Sequence, residues 1–282
     1  RMTGEPVWPI EEREVPQSDV PGERTAPTQP FPTQPPNVLP QTGMTGEDIF
    51  DLTPELAAAA REAMEGLRTG PLYTPPSLEG SLVRPGGGGA INWGGGAYDP
   101  DTGYLYVKTS NMPAVFTLAK FDPETTRNPF ADTDDPDYVG YDTVAGRRPT
   151  FEGGLPLIRP PYAFLVAVDM NAGEIAWRVP FGRGSDRIRN HPGLAGVELP
   201  DRLGTPGAPG GFVTAGGLYF AGGGEDALYA FDKVTGEELW RGELTERSTA
   251  TPMTYETDDG QQFVLIATGS GANQELVAFA LP

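Results

Sequence analysis

Three features predict an all-β fold of four-stranded antiparallel blades. First, a pattern of apolar residue, Asp, three residues, Gly, three residues and Trp occurs twice, as Val168-Asp169 to Gly173 to Trp177 and as Phe231-Asp232 to Gly236 to Trp240. Its tail occurs once more near the start, as Thr3-Gly4-Glu5-Pro6-Val7-Trp8. Second, short apolar runs of strand length alternate with clusters of Gly, Pro, Asn and Asp from Leu78 onward. Third, 38 Gly and 31 Pro among 282 residues leave little room for long helices, while an aromatic content of 10% argues against disorder. The repeated pattern reads as strand, tight turn, strand: Asp and Thr cap the turn, Gly supplies a positive φ, and a Trp opens the next strand. One aromatic per repeated hairpin is how β-propeller blades are written.

The elements follow in order. Residues 1–43 carry ten prolines, and a stretch such as Pro30 to Pro36 is excluded from central strand and from helix. The interleaved Phe31, Val38 and Leu39 suggest an extended segment laid over a folded surface. Residues 44–77 read as a small helical insert. Thr45 to Asp48 resembles a capping box. A helix is predicted over 53–69, with Thr53 as N-cap, Pro54 in the first position, Gly70 beyond the end, and Leu56, Ala60, Met64 and Leu67 on one face. Strands are predicted at Tyr104–Thr109, Phe164–Asp169, Phe212–Thr214, Leu218–Ala221, Leu228–Phe231, Phe263–Thr268 and Leu276–Ala280. Trp177 and Trp240 lie 63 residues apart, enough for one blade and a long loop. Four to five blades fit the length. A propeller protects its strand edges by closing, so the truncated pattern at Trp8 predicts a piece of a larger ring, in which Trp8, Trp177 and Trp240 are buried between blades.

Composition excludes several functions. The net charge of −19 supplies no basic footprint for nucleic acid. The absence of cysteine excludes disulfides, thiolate metal sites and Cys nucleophiles. No apolar run reaches membrane-spanning length. The glycine runs do not lead into a helix with Lys-Ser/Thr, so no phosphate loop is present.

The pieces Thr3 to Glu12, Val15 to Glu23, Ala90-Ile91-Asn92-Trp93-Gly94-Gly95 with Tyr98-Asp99-Pro100, Arg189 to Pro192, Thr214 to Leu218 and Ala250 to Tyr255 occur in this order and spacing. Together they resemble the pyrroloquinoline quinone (PQQ)-dependent dehydrogenases, in the branch of the membrane glucose dehydrogenase-like quinoproteins. The resemblance covers nearly the whole chain. It implies an eight-bladed propeller with PQQ near the axis and Ca²⁺ beside it, of which residues 1–282 form the C-terminal part of a single domain. It places the catalytic Asp, the Ca²⁺ ligands and a quinone-contacting Lys upstream, so that this chain carries no catalytic residue and no metal ligand. It implies oxidation of a sugar or alcohol, electron delivery to a quinone or cytochrome, and a periplasmic or periplasm-facing location. The remaining blades of the same enzyme would be its partner. The alternative is a non-enzymatic propeller with PQQ-like repeats serving as a scaffold in the cell envelope. The Trp pattern serves either equally, whereas Asn92-Trp93-Gly94-Gly95 and the Pro-rich insert have no use in a scaffold.

Asn92 matches the Asn that contacts PQQ in the family, and Trp93 accompanies it as a second cofactor-binding candidate. The Gly86 to Gly89 run before them permits close backbone approach to a ligand, and an Asn amide both donates and accepts. The loop Gly204 to Gly211 matches a wall near the flat cofactor. Ser270 stands where glucose dehydrogenases of the family often carry His. It is a weak substrate-pocket candidate, and sugar specificity does not carry over with it. His191 in Asn190-His191-Pro192 reads as a structural loop residue. The acidic clusters Asp132 to Asp135 and Asp258-Asp259 read as solvated turns, since they lack the alternate spacing of a Ca²⁺ loop.

Overall fold

The computed structural model describes residues 2–40, 43–120, 141–147, 149–207 and 209–281. The chain divides into two compact units. One comprises Arg1–Thr33, Pro40–Gly87 and Pro113–Arg159, and the other Gln34–Leu39, Gly88–Met112 and Pro160–Pro282.

The second unit holds three successive antiparallel blades. Blade I is built from Gly96–Asp99, Tyr104–Ser110, Ala163–Asp169 and Glu174–Pro180, hydrogen-bonded in that order. Blade II is built from Gly211–Val213, Leu218–Ala221, Ala227–Asp232 and Glu238–Glu243. Blade III has three strands among the described residues, Met253–Glu256, Gln262–Thr268 and Glu275–Ala280. Three blades do not close a ring. The first unit adds a three-stranded antiparallel sheet of Ser81–Val83, Ala114–Lys120 and Tyr141–Arg147, so the described residues hold four sheets of three or four strands, against the four to five blades that length allows.

The third strands of blades I and II are apolar on both faces, as strands buried on both sides must be. Leu165 and Ala167 pack with Tyr106, Phe181, Tyr219, Tyr229 and Phe231 in the core shared by the two blades. Tyr106 and Tyr219 stack at 5.0 Å. Val166 and Val168 face the other way, against Val107 and Ile175, and Val38 of the Pro-rich segment covers this cluster.

The repeated turn forms as its residues require. The Asp169 carboxylate accepts from the Asn171 and Ala172 amides at 2.8 and 3.0 Å. The Asp232 carboxylate accepts from the Val234 and Thr235 amides, both at 2.8 Å. Gly173 and Gly236 take φ of +71° and +74°. The Trp177 ring then covers Gly236 of the next blade, and its Nε1 donates to the Lys233 carbonyl at 3.2 Å.

The Trp residues are less enclosed than the spacing predicts. Trp177 is half-buried, and Trp240 is 39% exposed. Trp240 meets Phe279 of blade III edge-on at 5.1 Å, without the Gly turn that Trp177 finds. Among the described residues blade III presents no such turn to it. The Trp8 segment also departs from expectation. Gly4 keeps a φ of +76°, but Thr3 to Trp8 forms no strand, and the chain enters a two-stranded ribbon of Ile10–Glu14 with Thr28–Pro32 instead.

In the first unit the helix spans Pro54–Met64, shorter than the predicted 53–69. Thr53 caps it by accepting from the Leu56 amide at 3.2 Å. It stops at Glu65 because Gly66, with φ of +77°, turns the chain four residues before Gly70. The Thr45 to Asp48 motif closes on itself, with the Thr45 amide donating to Asp48 Oδ2 at 2.8 Å, but no helix follows it directly. Among the described residues no helix is long and apolar enough to cross a membrane.

Candidate functional site

Strand register decides which loops share an end of the second unit. Gly96 pairs with Val107, Gly211 with Ala221, and Met253 with Leu265. The start of each first strand therefore lies beside the end of each second strand. Asn92 to Gly95, Gly207, Pro209 and Gly210, Ala250 to Pro252, and Ser270 after the Gln262–Thr268 strand all fall at this end. The first strands of blades I and II lie side by side, as inner strands of neighbouring blades do.

The approach segments touch through backbone. A Cβ on Gly210 would sit 2.3 Å from the Gly94 carbonyl oxygen. Only glycine permits that contact. The Gly210 amide also donates to Thr251 Oγ1 of the blade III approach at 3.2 Å.

Asn92 organises its own turn. Its Nδ2 donates to the Gly88 carbonyl at 2.9 Å, its Oδ1 accepts from the Trp93 amide at 2.7 Å, and its carbonyl accepts from Gly95 at 3.0 Å. One amide N–H and further acceptor capacity remain on an exposed side chain. The turn holds the Trp93 ring out, 70% exposed, beside Ile91 at 40%. An open indole face, a spare amide and unhindered glycine backbone fit a flat, polar-edged heterocycle.

Ser270 is exposed at the same end, and its hydroxyl caps nothing in the short turn Gly271–Asn273 that it precedes. His191 Nδ1 accepts from the Gly193 amide at 3.1 Å, a loop-closing bond. Asp259 lies in an exposed turn, where hydrogen bonds led by that from the Thr257 hydroxyl hold its carboxyl below the ordinary range. Asp132 to Asp135 lie outside the described residues. Among the described residues no group of three or more His, Asp or Glu is arranged to hold a metal.

Sequence reading missed the buried charges. Lys108 is 3% exposed and donates from Nζ to the Gly223 carbonyl at 2.7 Å, with the Phe181 ring 4.6 Å away. Burial pulls its pKa down to about 7, against the attraction of Glu225. Glu225 accepts from the Thr205 and Tyr229 hydroxyls and from the Gly184 amide. It also lines a cavity of about 320 Å³ with Arg183, Arg241, Arg247 and several carboxylates. At the opposite end of the blades, Lys233 pairs with Asp99 at 2.9 Å, both nearly excluded from solvent. No local pattern marks these residues, since most of their partners come from distant elements.

Residues 1–264 match the family model described as the PQQ glucose/ethanol/alcohol dehydrogenase β-propeller domain. The whole chain aligns with quinoprotein glucose dehydrogenase A of Acinetobacter calcoaceticus at 33% identity and with the quinate/shikimate dehydrogenase (quinone) of Acinetobacter baylyi at 31%. It also aligns with the glycerol dehydrogenase large subunit of Gluconobacter thailandicus at 31%. The chain spans 36%, 36% and 41% of their respective lengths.

Proposed function

This chain belongs to the PQQ-dependent glucose/ethanol/alcohol dehydrogenase β-propeller family, and from that premise we propose that it forms one wall of the PQQ site in an oxidoreductase acting on a sugar or alcohol. The observation that carries the reading is the convergence of Asn92 to Gly95, of Gly207, Pro209 and Gly210, and of Ala250 to Pro252 at one end of three blades, with Trp93 open beside them.

Bound PQQ supplies a two-electron oxidant, and the protein supplies binding and orientation. Trp93 offers its indole face to the flat ring. The unspent N–H of Asn92 would donate to a polar edge of the bound cofactor, while its other bonds, to Gly88 and Trp93, fix the amide in place. The glycine backbone admits the cofactor edge closely. Pro206 and Pro209 stiffen the neighbouring wall and limit water. Ser270, exposed at this end with a hydroxyl that caps nothing, would donate or accept at a substrate hydroxyl. It does not titrate near neutral pH as a His would. The general base and the Ca²⁺ carboxylates are assigned to the part of such an enzyme outside residues 1–282. The electron acceptor is assigned as a quinone or cytochrome, and the location as periplasm-facing.

Titrating the protein with PQQ, followed by tryptophan fluorescence, tests the reading. Asn92→Ala should weaken binding by about 1–3 kcal/mol, the usual consequence of losing a hydrogen-bond partner in a desolvated site. Asn92→Asp should weaken it further, because a carboxylate then opposes an anionic cofactor. Unchanged affinity in both variants would remove Asn92 from the site, and no binding by the wild type would overturn the reading.

A further inference from the structure

We propose that Lys108 is a positioning residue for this wall: its buried ammonium fixes the Gly223-Gly224 turn, and that turn holds Pro206, Gly207, Pro209 and Gly210 against Gly94. The inference rests on the reading that this end of the blades faces the cofactor.

Lys108 sits near the end of the second strand of blade I and crosses to blade II. Its bond to Gly223 spans 115 residues of sequence. Gly223 and Gly224 take φ of +93° and +91°, which bends this turn tightly. A Cβ on Gly223 would sit 2.5 Å from Pro209, and one on Gly224 would sit 2.7 Å from the Pro206 carbonyl. A Cβ on Gly207 would sit 3.0 Å from Lys108 Nζ itself. The turn and the wall are thus in contact on both sides of the ammonium. Gly210, next after Pro209, abuts the Gly94 carbonyl. The path from Lys108 to the Asn92 turn is therefore continuous: ammonium, Gly223 carbonyl, Pro209, Gly210, Gly94.

The charge has a reason to be there. A buried lysine is costly, and an apolar residue would otherwise suit a site beside the Phe181 ring. A charge-assisted bond to one carbonyl sets the height of a glycine turn that has no side chains to fix it. The carboxylate of Glu225 and the guanidinium of Arg247 act on the ammonium from the same turn and from the blade III approach. The turn is tied to blade III as well, through the Gly224 amide to the Ser248 carbonyl at 2.9 Å.

Hydrogen exchange of backbone amides, read without any cofactor, tests the inference. Lys108→Met removes the donor, and Lys108→Gln keeps a donor on a shorter stem. In Lys108→Met the hydrogen-bonded amides of Gly210 and Gly224 should exchange roughly tenfold faster, with Lys108→Gln between it and the wild type. The amides of Val234 to Gly236, at the far end of the blades, should not change. PQQ affinity should fall in the same order, again roughly tenfold for Lys108→Met. If Lys108→Met does not fold, Lys108→Gln against wild type gives the same comparison. Exchange at Gly210 and Gly224 equal to wild type in the variants that fold would overturn the proposal. So would a uniform loss of protection that includes Val234 to Gly236. If the wild type does not bind PQQ, the cofactor reading fails, while the exchange result still decides whether Lys108 positions this wall.

Discussion

Adding one methyl group at Gly236 tests the packing between blades I and II. Gly236 has a φ of +74°, and a Cβ there would lie 2.7 Å from Cε3 and 2.8 Å from Cδ2 of Trp177. Gly236→Ala therefore carries two costs. A non-glycine residue in left-handed backbone costs about 1–2 kcal/mol. Forcing the indole away from its seat costs about 1–3 kcal/mol more, and strains its bond to the Lys233 carbonyl. Gly260 separates the two terms. It has a φ of +85°, and nothing lies within 4 Å of its added Cβ. Gly260→Ala should lose about 1–2 kcal/mol, the backbone part alone. Denaturant midpoints and slopes for both variants and the wild type give the comparison. Combining Gly236→Ala with Trp177→Ala should cost less than the sum of the two, since the smaller side chain removes the clash. Equal losses at Gly236 and Gly260, or full additivity with Trp177→Ala, would refute the contact between blades.

The remaining expectations concern charge and backbone. Asp99 is buried, which disfavours its charge, yet hydrogen bonds from Lys233, Thr102 and the Asp101 amide hold its carboxyl below the ordinary 3.8. Its stabilising contribution is therefore present above that value and is lost as pH falls through the lowered one. Asp99→Asn should cost roughly 3 kcal/mol at neutral pH and flatten the acid limb of the stability curve, measured by urea unfolding. Lys108 releases its proton at about 7 in the folded chain and at 10.5 when unfolded. The unfolded state thus binds more protons between these values, so stability should rise with pH across that window, and Lys108→Met should abolish the rise. Above pH 10 the effect should reverse, because burial raises the pKa of Tyr106 to about 12 and that of Tyr219 as well, so the folded state then holds the extra protons. Gly210→Ala should displace the Gly94 carbonyl and weaken PQQ binding while leaving the Trp177 fluorescence environment unchanged; an unaltered titration would break the proposed link between the approach segments.

Local signals made the fold legible, and distant partners hid the rest. The Leu218–Ala221 strand appears as read, and the other predicted strands differ by a residue or so at their ends. The Asp169 and Asp232 turns were readable because every bond in them spans only a few residues. The helix end was misplaced for a local reason: the apolar spacing continues to Leu67, but Gly66 ends the helix first, and a glycine inside a periodic stretch was the signal passed over. Trp240 was misjudged because its burial depends on the strand count of the next blade, which no local pattern records. Asn92, Trp93 and Ser270 were picked out by motif, and the register places them at one end of the blades. Lys108 was unreadable. In Tyr-Leu-Tyr-Val-Lys-Thr it looks like a solvent-facing lysine, and only Phe181 and Gly223 make it internal.

The two ends of the blades differ in kind, and the difference follows from chemistry. At the turn end, side chains lock one another. Asp99 holds Lys233, whose carbonyl accepts from Tyr106 and Trp177, and Trp177 covers Gly236. Every polar group in that set has a partner, so the end is rigid and has little left to offer a ligand. At the approach end, contacts run through glycine and proline backbone, and the functional candidates keep unspent capacity: an open Trp93, a spare Asn92 N–H, an uncapped Ser270 hydroxyl. Under the proposed function such an end would bind through these open groups, and the turn end and Lys108 would hold its shape. Substitutions at the turn end should therefore change unfolding more than PQQ affinity, and those at the approach end the reverse. A variant such as Lys233→Met that weakened PQQ binding while leaving the unfolding midpoint untouched would contradict this division.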